Sequence, residues 1–126
     1  MSYPEAQAAG GFLGAPVAHF QTDLIVRELS GPVSARITAA THNAPARCKV
    51  IIVPLRGAMS RVSVSDTAFA LRQPGYEIGM AGAWSTPPEK AKVVKWVLAT
   101  RDSLEPFAHG VYINQLGDTS EQMLAW

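Results

Sequence analysis

Tyr112 and Asn114 stand two residues apart in a segment, residues 111–115, whose side chains alternate between apolar and polar. Side chains at positions i and i+2 of a strand point to the same face, so a strand here directs both residues into one cavity. A phenol can handle a proton, but a pKa near 10 makes it a poor base unless a nearby cation lowers that pKa. The structural alternative is that Tyr112 packs beside a helix, with its hydroxyl on a backbone carbonyl.

Arg72 is a further candidate, because a guanidinium holds a carboxylate through two parallel hydrogen bonds. Its partner could be a substrate carboxylate or a buried glutamate such as Glu77. If Arg72 is exposed, it is simply a surface charge. Both interpretations are open at this point.

Two other groups of residues lack the sequence spacing that a metal site or a hydrolase triad requires. The histidines His19, His42 and His109 fit no short metal-ligand motif, so we predict no metal site. Serines near residue 60 could be combined with His109 and Asp118, but the sequence has no Gly-x-Ser-x-Gly elbow for a hydrolase nucleophile.

Length and charge limit the classes of function. The 126 residues suffice for one domain, predicted over residues 17–126 after a poorly ordered lead-in over residues 1–16. With 11 basic and 10 acidic residues the net charge is +1, too small to attract nucleic acid or an anionic membrane. A single cysteine, Cys48, and the lack of a long apolar run predict a reduced, cytoplasmic protein.

The first half of the chain predicts strands around one short helix. Residues 19–29 are predicted as a half-buried strand, and Pro32 opens a helix that ends at residues 43–45. Residues 50–53 are all β-branched, which predicts a strand buried on both faces. One or two further strands are predicted over residues 59–71.

The second half contains the strongest signals. Residues 76–84 alternate as a strand after the turn at Pro74-Gly75. Thr86 and Glu89 then form a capping box that begins a helix, which ends at Pro106. The predicted buried stripe of this helix is Val93, Val97, Thr100 and Leu104, and its predicted solvent side is Lys90, Lys92, Lys95 and Arg101. The strand over residues 111–115 follows, and a last helix begins at Asp118 or Thr119.

Together these elements predict an α+β domain, an antiparallel sheet with helices packed on one face. The other face of the sheet then needs a cover, because the predicted strands 50–53 and 68–71 do not present a polar face to water. Another domain or a second copy of the chain could supply that cover.

Three segments, in order, give the chain a family resemblance. They are the Tyr-x-Asn and Leu-Gly-Asp motifs within residues 110–118, Thr67-Ala68-Phe69 with Arg72, and Ala83-Trp84 before Pro87-Pro88. Over roughly residues 50–118 the chain resembles the substrate domain of FAD-linked oxidases of the berberine-bridge type. That domain is an α+β sheet with helices, which agrees with the local patterns.

The resemblance implies roles for five residues. Tyr112 would handle a proton or orient the substrate, and Asn114 would contact the FAD cofactor. Arg72, Gln115 and Trp84 would line the substrate cavity. Gln115 departs from the family, which commonly has an aromatic residue after the Asn.

No segment resembles the glycine-rich loop with which such oxidases hold the FAD pyrophosphate, because Gly10-Gly11 and Gly57 are isolated. We therefore expect the substrate-domain portion of an oxidoreductase, inactive alone, that works with a separate FAD-domain protein on a small-molecule substrate. The alternative is a stand-alone homodimeric binding or structural module without redox activity.

Overall fold

The computed structural model describes residues 2–5, 18–68 and 71–112. Within these residues the chain forms four strands and two α-helices in the order β-α-β-β-α-β. The elements are β1 (Ala18–Val26), α1 (Gly31–His42), β2 (Cys48–Leu55), β3 (Gly75–Trp84), α2 (Pro87–Leu104) and β4 (Ala108–Gly110), with 3-10 helices at Gly57–Arg61 and Glu105–Phe107.

The strands form one antiparallel sheet in the order β2-β3-β1-β4. Each α-helix thus connects two strands that have a third strand between them, which is the split β-α-β arrangement known as ferredoxin-like. The predicted α+β architecture, an antiparallel sheet with helices packed against it, is confirmed.

The core lies between the sheet and the two helices. It is formed by Leu24, Val26, Val33, Ile78, Met80, Val93, Val97 and Leu104. The indole N–H of Trp96 joins the helices by donating to the Ala40 carbonyl at 3.0 Å. At Gly82 a Cβ would lie 2.6 Å from both the Cys48 Sγ and the Val93 Cγ1, so glycine allows α2 to approach β3 closely.

The helices begin and end close to where the local signals put them. Pro32 lies in the first turn of α1, and Asn43 caps its C-terminus. The Glu89 carboxylate accepts the backbone N–H groups of Ser85 and Thr86, at 2.8 and 3.0 Å, as a capping box requires. Lys90, Lys92 and Lys95 are exposed as predicted.

The predicted solvent position of Arg101 is wrong. Arg101 is only 3% exposed, and its guanidinium approaches Asp102 and Glu105 at 3.6 and 3.4 Å. The side chain lies in the last turn of α2, where the helix meets the sheet and a favourable helix dipole holds a cation.

The prediction that β2 is buried on both faces is also wrong. Ile51, Ile52 and Val53 are each about 40% exposed. The cause is the position of β2 at the edge of the sheet, where it pairs with β3 alone among the described strands. Pro54 fits such an edge strand because it has no N–H to give to a further strand.

Residues 59–68, where one or two strands are predicted, contain no strand. Gly57, with φ of 78°, leads into the 3-10 helix, and turns and bends occupy residues 62–68. Polar groups in this segment form hydrogen bonds with near neighbours in the sequence. The Ser63 and Ser65 hydroxyls lie 2.8 Å apart, and the Asp66 N–H donates to the Ser63 carbonyl. Residues 69 and 70 lie outside the described part.

The last predicted strand, residues 111–115, does not include the strand that follows α2. That strand is β4, in which Ala108 lies opposite Val26, and it ends at Gly110, so Val111 and Tyr112 are not in a strand. Residues 113–115 of the predicted strand and the helix predicted at Asp118 or Thr119 lie outside the described residues, as do residues 6–16 of the lead-in.

Candidate functional site

A carboxyl group is buried in the middle of the sheet. Alternation along β1 puts Leu24 on the helix side and Asp23 on the opposite, helix-free face. Asp23 is 0% exposed, and its Oδ2 accepts the backbone N–H of Tyr112 at 2.8 Å. Its Oδ1 has no hydrogen-bond partner in the described structure. A buried acceptor without a donor is uncommon in folded proteins and calls for an explanation.

The environment raises the pKa of Asp23 from its ordinary value of 3.8 to about 7. Burial is the main cause, because it disfavours the charged form, and the carboxylate of Glu77 adds to the effect. The hydrogen bond from the Tyr112 N–H lowers the pKa of Asp23, and the positive charge of Arg101 lowers it weakly. A carboxyl group with a pKa near neutrality can both accept and donate a proton under physiological conditions.

Glu77 and Gly79 surround Asp23 on the helix-free face. Gly79 lies directly opposite Asp23 in the register, and Glu77 is two residues away along β3, opposite Ile25. Side chains in such a diagonal pair lie roughly 7–8 Å apart. Burial raises the pKa of Glu77 as well, and the Glu77 carboxylate contributes to the raised pKa of Asp23.

Of the residues implied by the resemblance, Tyr112 lies at this site. It is half-buried and is tied to Asp23 through its backbone. Asn114 and Gln115 lie outside the described residues.

Arg72 and Trp84 lie in other surroundings. The half-buried Arg72 donates to the Met59 carbonyl at 3.4 Å and to the Thr67 hydroxyl, contacts that hold the β2–β3 connection together. Trp84 packs against the helix-side core, with the Lys90 Nζ 5.9 Å from its ring centroid. It is on the face opposite Asp23 and about 16 Å further along β3. The structure therefore does not bring Trp84 and Tyr112 into one cavity.

Sequence reasoning missed Asp23. The only local signal is one acidic residue that precedes the apolar run Leu24-Ile25-Val26. Alternation alone predicts a solvated position there, as on the outer face of many sheets. Burial of Asp23 becomes visible only once the strand order puts β1 between β3 and β4.

The described residues do not fit the pyrophosphate of FAD. Each α-helix has proline in its first turn, which offers no N–H, and the Glu89 carboxylate already occupies the N-terminus of α2. Likewise, residues 2–5, 18–68 and 71–112 contain no group of three His, Cys, Asp or Glu side chains that could hold a metal ion.

Comparison with known proteins gives no family. No family model matches the chain, and no curated protein is significantly similar to it. Among the described helices, none combines the length and the apolar character needed to cross a membrane.

Proposed function

We propose that this chain is the substrate-domain portion of a berberine-bridge-type FAD-dependent oxidoreductase and works with a flavin held by another polypeptide. The main support is the contact between Asp23 and Tyr112. Tyr112 is the residue to which the resemblance gives a proton-handling role, and its backbone holds a carboxyl group whose pKa is about 7. A sheet with its helices on one face is also the architecture of the resembling domain.

In this proposal Asp23 accepts a proton from an O–H or N–H group of the substrate as the substrate is oxidised. Burial keeps water away from the carboxylate and thereby strengthens its pull on the proton. Burial, with a smaller contribution from Glu77, keeps the pKa of Asp23 near neutrality, and the Tyr112 N–H fixes the orientation of the carboxylate. The redox chemistry belongs to the flavin and its own domain. A cytoplasmic location belongs to the same proposal and is supported by the single, unpaired Cys48.

The direct test is to purify the chain from its own host and record the absorbance from 350 to 500 nm together with the light-scattering mass. A yellow complex heavier than a homodimer is the expected result. Asp23→Asn should leave the colour and mass unchanged but abolish substrate oxidation, whereas Glu28→Gln, at an exposed position, should keep full activity. A colourless chain without a flavin partner would contradict the proposal.

The alternative function is a homodimeric module without redox activity, and one observation favours it. Ile51, Ile52 and Val53 expose apolar surface on the edge strand. The Ala83 N–H of β3 donates to the Arg47 carbonyl at 3.2 Å, just before β2 begins. In an antiparallel pair, residues of a strand alternately point their backbone N–H and C=O groups toward and away from the partner strand, so those of Val50 and Ile52 point away from β3.

Those backbone groups could pair with the same strand of a second copy. Asp23, Ile25 and Ala81, in contrast, are at most 3% exposed, so the middle of the helix-free face needs no second sheet as a cover. A monomer at micromolar concentration in sizing chromatography would rule out this alternative.

A further inference from the structure

We infer that the space above Gly79 binds the protonated amine of a small molecule, held between the carboxyl groups of Asp23 and Glu77. The inference rests on the proposed function in one respect, namely that this amine belongs to the substrate. The binding itself requires no flavin and can be measured separately.

Gly79 leaves room at this point of the sheet. It lies between Asp23 on β1 and Ile51 on β2, and all three positions belong to the helix-free face. Among the described residues, a Cβ built on Gly79 would meet only Ile51, at 3.9 Å, an ordinary van der Waals distance. Gly79 is partly exposed, so a ligand can approach Gly79 from solvent. Because the Asp23 carboxyl group is buried, its side chain must turn toward this place when the ligand binds.

The hydrogen-bonding capacity of the site matches an ammonium group. The Asp23 Oδ1 is fully buried and lacks a donor, which is unfavourable for a buried polar group. An ammonium group has three donors and a positive charge, so it can bond to this oxygen and to the Glu77 carboxylate at once. A hydroxyl has a single donor and leaves the two negative charges uncompensated.

The neighbouring charges favour a cation. On β3, Glu77 acts on Asp23 with the same sign, and from α2 the influence of Arg101 is the weakest of those on Asp23. Lys49 on β2 lies one row further along the helix-free face, opposite Ala81. The Tyr112 N–H is already bonded to the other oxygen of Asp23.

The exposed side chain of Ile51 suits the carbon chain of such a ligand. It is 41% exposed and borders the space above Gly79. A small primary or secondary amine with an aliphatic or benzylic substituent therefore meets a carboxyl pair at one end and apolar surface at the other. Covering this apolar surface adds to the affinity.

The experiment is an NMR titration of the full chain at pH 7.5 with n-butylammonium chloride, and with n-butanol as the uncharged probe. We expect saturable shifts of the Asp23, Glu77 and Gly79 resonances with the amine and none with the alcohol. Asp23→Asn should weaken amine binding about tenfold or more, since a charge-assisted hydrogen bond is lost. Gly79→Ala should weaken it by filling the space, and the 3.9 Å contact lets the fold accept that methyl group.

Glu28→Gln serves as the charge control and should bind the amine as the unmodified chain does. Equal shifts with amine and alcohol, no shift with either, or undiminished binding by a folded Asp23→Asn variant would overturn the inference. If the chain binds the amine but never recruits a flavin, the proposed function fails and this site remains. If a flavin complex forms without amine binding, only the ligand class is wrong.

Discussion

The middle of β1 and the edge strand β2 both depart from the rule that apolar side chains are buried and charged ones are exposed. β1 buries the carboxyl group of Asp23 completely, whereas β2 exposes about 40% of each of Ile51, Ile52 and Val53. Both strands lie beside β3 in one sheet, so their difference follows from position, β1 being internal and β2 at the edge. In this fold the place of a strand in the sheet decides burial more than the polarity of its residues.

The two departures differ in energetic weight. A rise in the pKa of Asp23 from 3.8 to about 7 corresponds to on the order of 4 kcal/mol against the ionised form at neutral pH. Leaving 40% of a β-branched side chain in water forgoes only about 1 kcal/mol per residue. The buried carboxyl group is therefore the stronger indication of function.

Two isoleucines that face each other across strands test the comparison most strongly. Ile78 on β3 is 0% exposed and its partner Ile52 on β2 is 40% exposed. Ile78→Ala should lower the free energy of unfolding by about 2–5 kcal/mol because it leaves a cavity in the core. Ile52→Ala should cost about 1 kcal/mol or less. Urea denaturation measures both, and equal losses would show that the β2 edge is buried in solution.

The pH dependence of stability tests the part of the comparison that concerns the buried carboxyl group of Asp23. The folded chain binds the Asp23 proton more tightly than the unfolded chain, because its pKa of about 7 exceeds 3.8. This contribution to stability is complete below pH 3.8 and is lost as the pH rises to about 7.

Asp23→Asn should remove that dependence. The variant should match the unmodified chain near pH 4 and exceed it at pH 8, by up to about 4 kcal/mol. Thermal unfolding across this pH range is the measurement, with Glu28→Gln as the control that should behave like the unmodified chain. A loss of stability that is the same at pH 5 and pH 8 would mean that Asp23 is charged and paired when folded.

A charge placed on the edge strand should act on association rather than folding. Ile52→Lys should change the free energy of unfolding by only about 0.5–1 kcal/mol, since the position is largely open. It should abolish any self-association through β2, because a lysine on an edge strand opposes pairing with another strand. The measurement is the light-scattering mass of the unmodified chain and of the Ile52→Lys variant at equal concentration. If the variant is still a dimer, the dimer forms through a surface other than β2.

The smallest expected effect concerns the neighbour of Asp23. Glu77→Gln should shift the pKa of Asp23 downward, because one of the negative charges that raise it is removed. The shift should be smaller than the one caused by burial, which remains in the variant. An NMR titration measures it, and an unchanged pKa would show that the two carboxyl groups do not interact.

Local signals predicted the two helices and the strands β1, β2 and β3, and long-range pairing decided the rest. The capping box of Glu89 and the turn before Gly75 involve neighbours in sequence, so α2 and β3 could be located from the sequence. Strand order depends on contacts between distant segments, which the periodicity of a segment does not encode. The exposure of Ile52 and the burial of Asp23 and Arg101 therefore required the fold.

The candidate site shows the same division. Tyr112 was singled out through the family resemblance, but Asp23, whose carboxylate accepts the Tyr112 backbone N–H, is 89 residues away in the sequence. A lone aspartate in a strand carries no local mark that distinguishes a buried site from a solvated face.

The most direct measurement is a carbon-detected NMR titration of the Asp23 carboxyl group in the full chain, assigned by comparison with Asp23→Asn. The predicted result is a titration midpoint near pH 7 for Asp23, together with a pKa of Glu77 that is raised above its ordinary value. A midpoint near 4 for Asp23 would contradict the account, because the carboxyl group would then be solvated or paired and not poised to transfer protons at neutral pH.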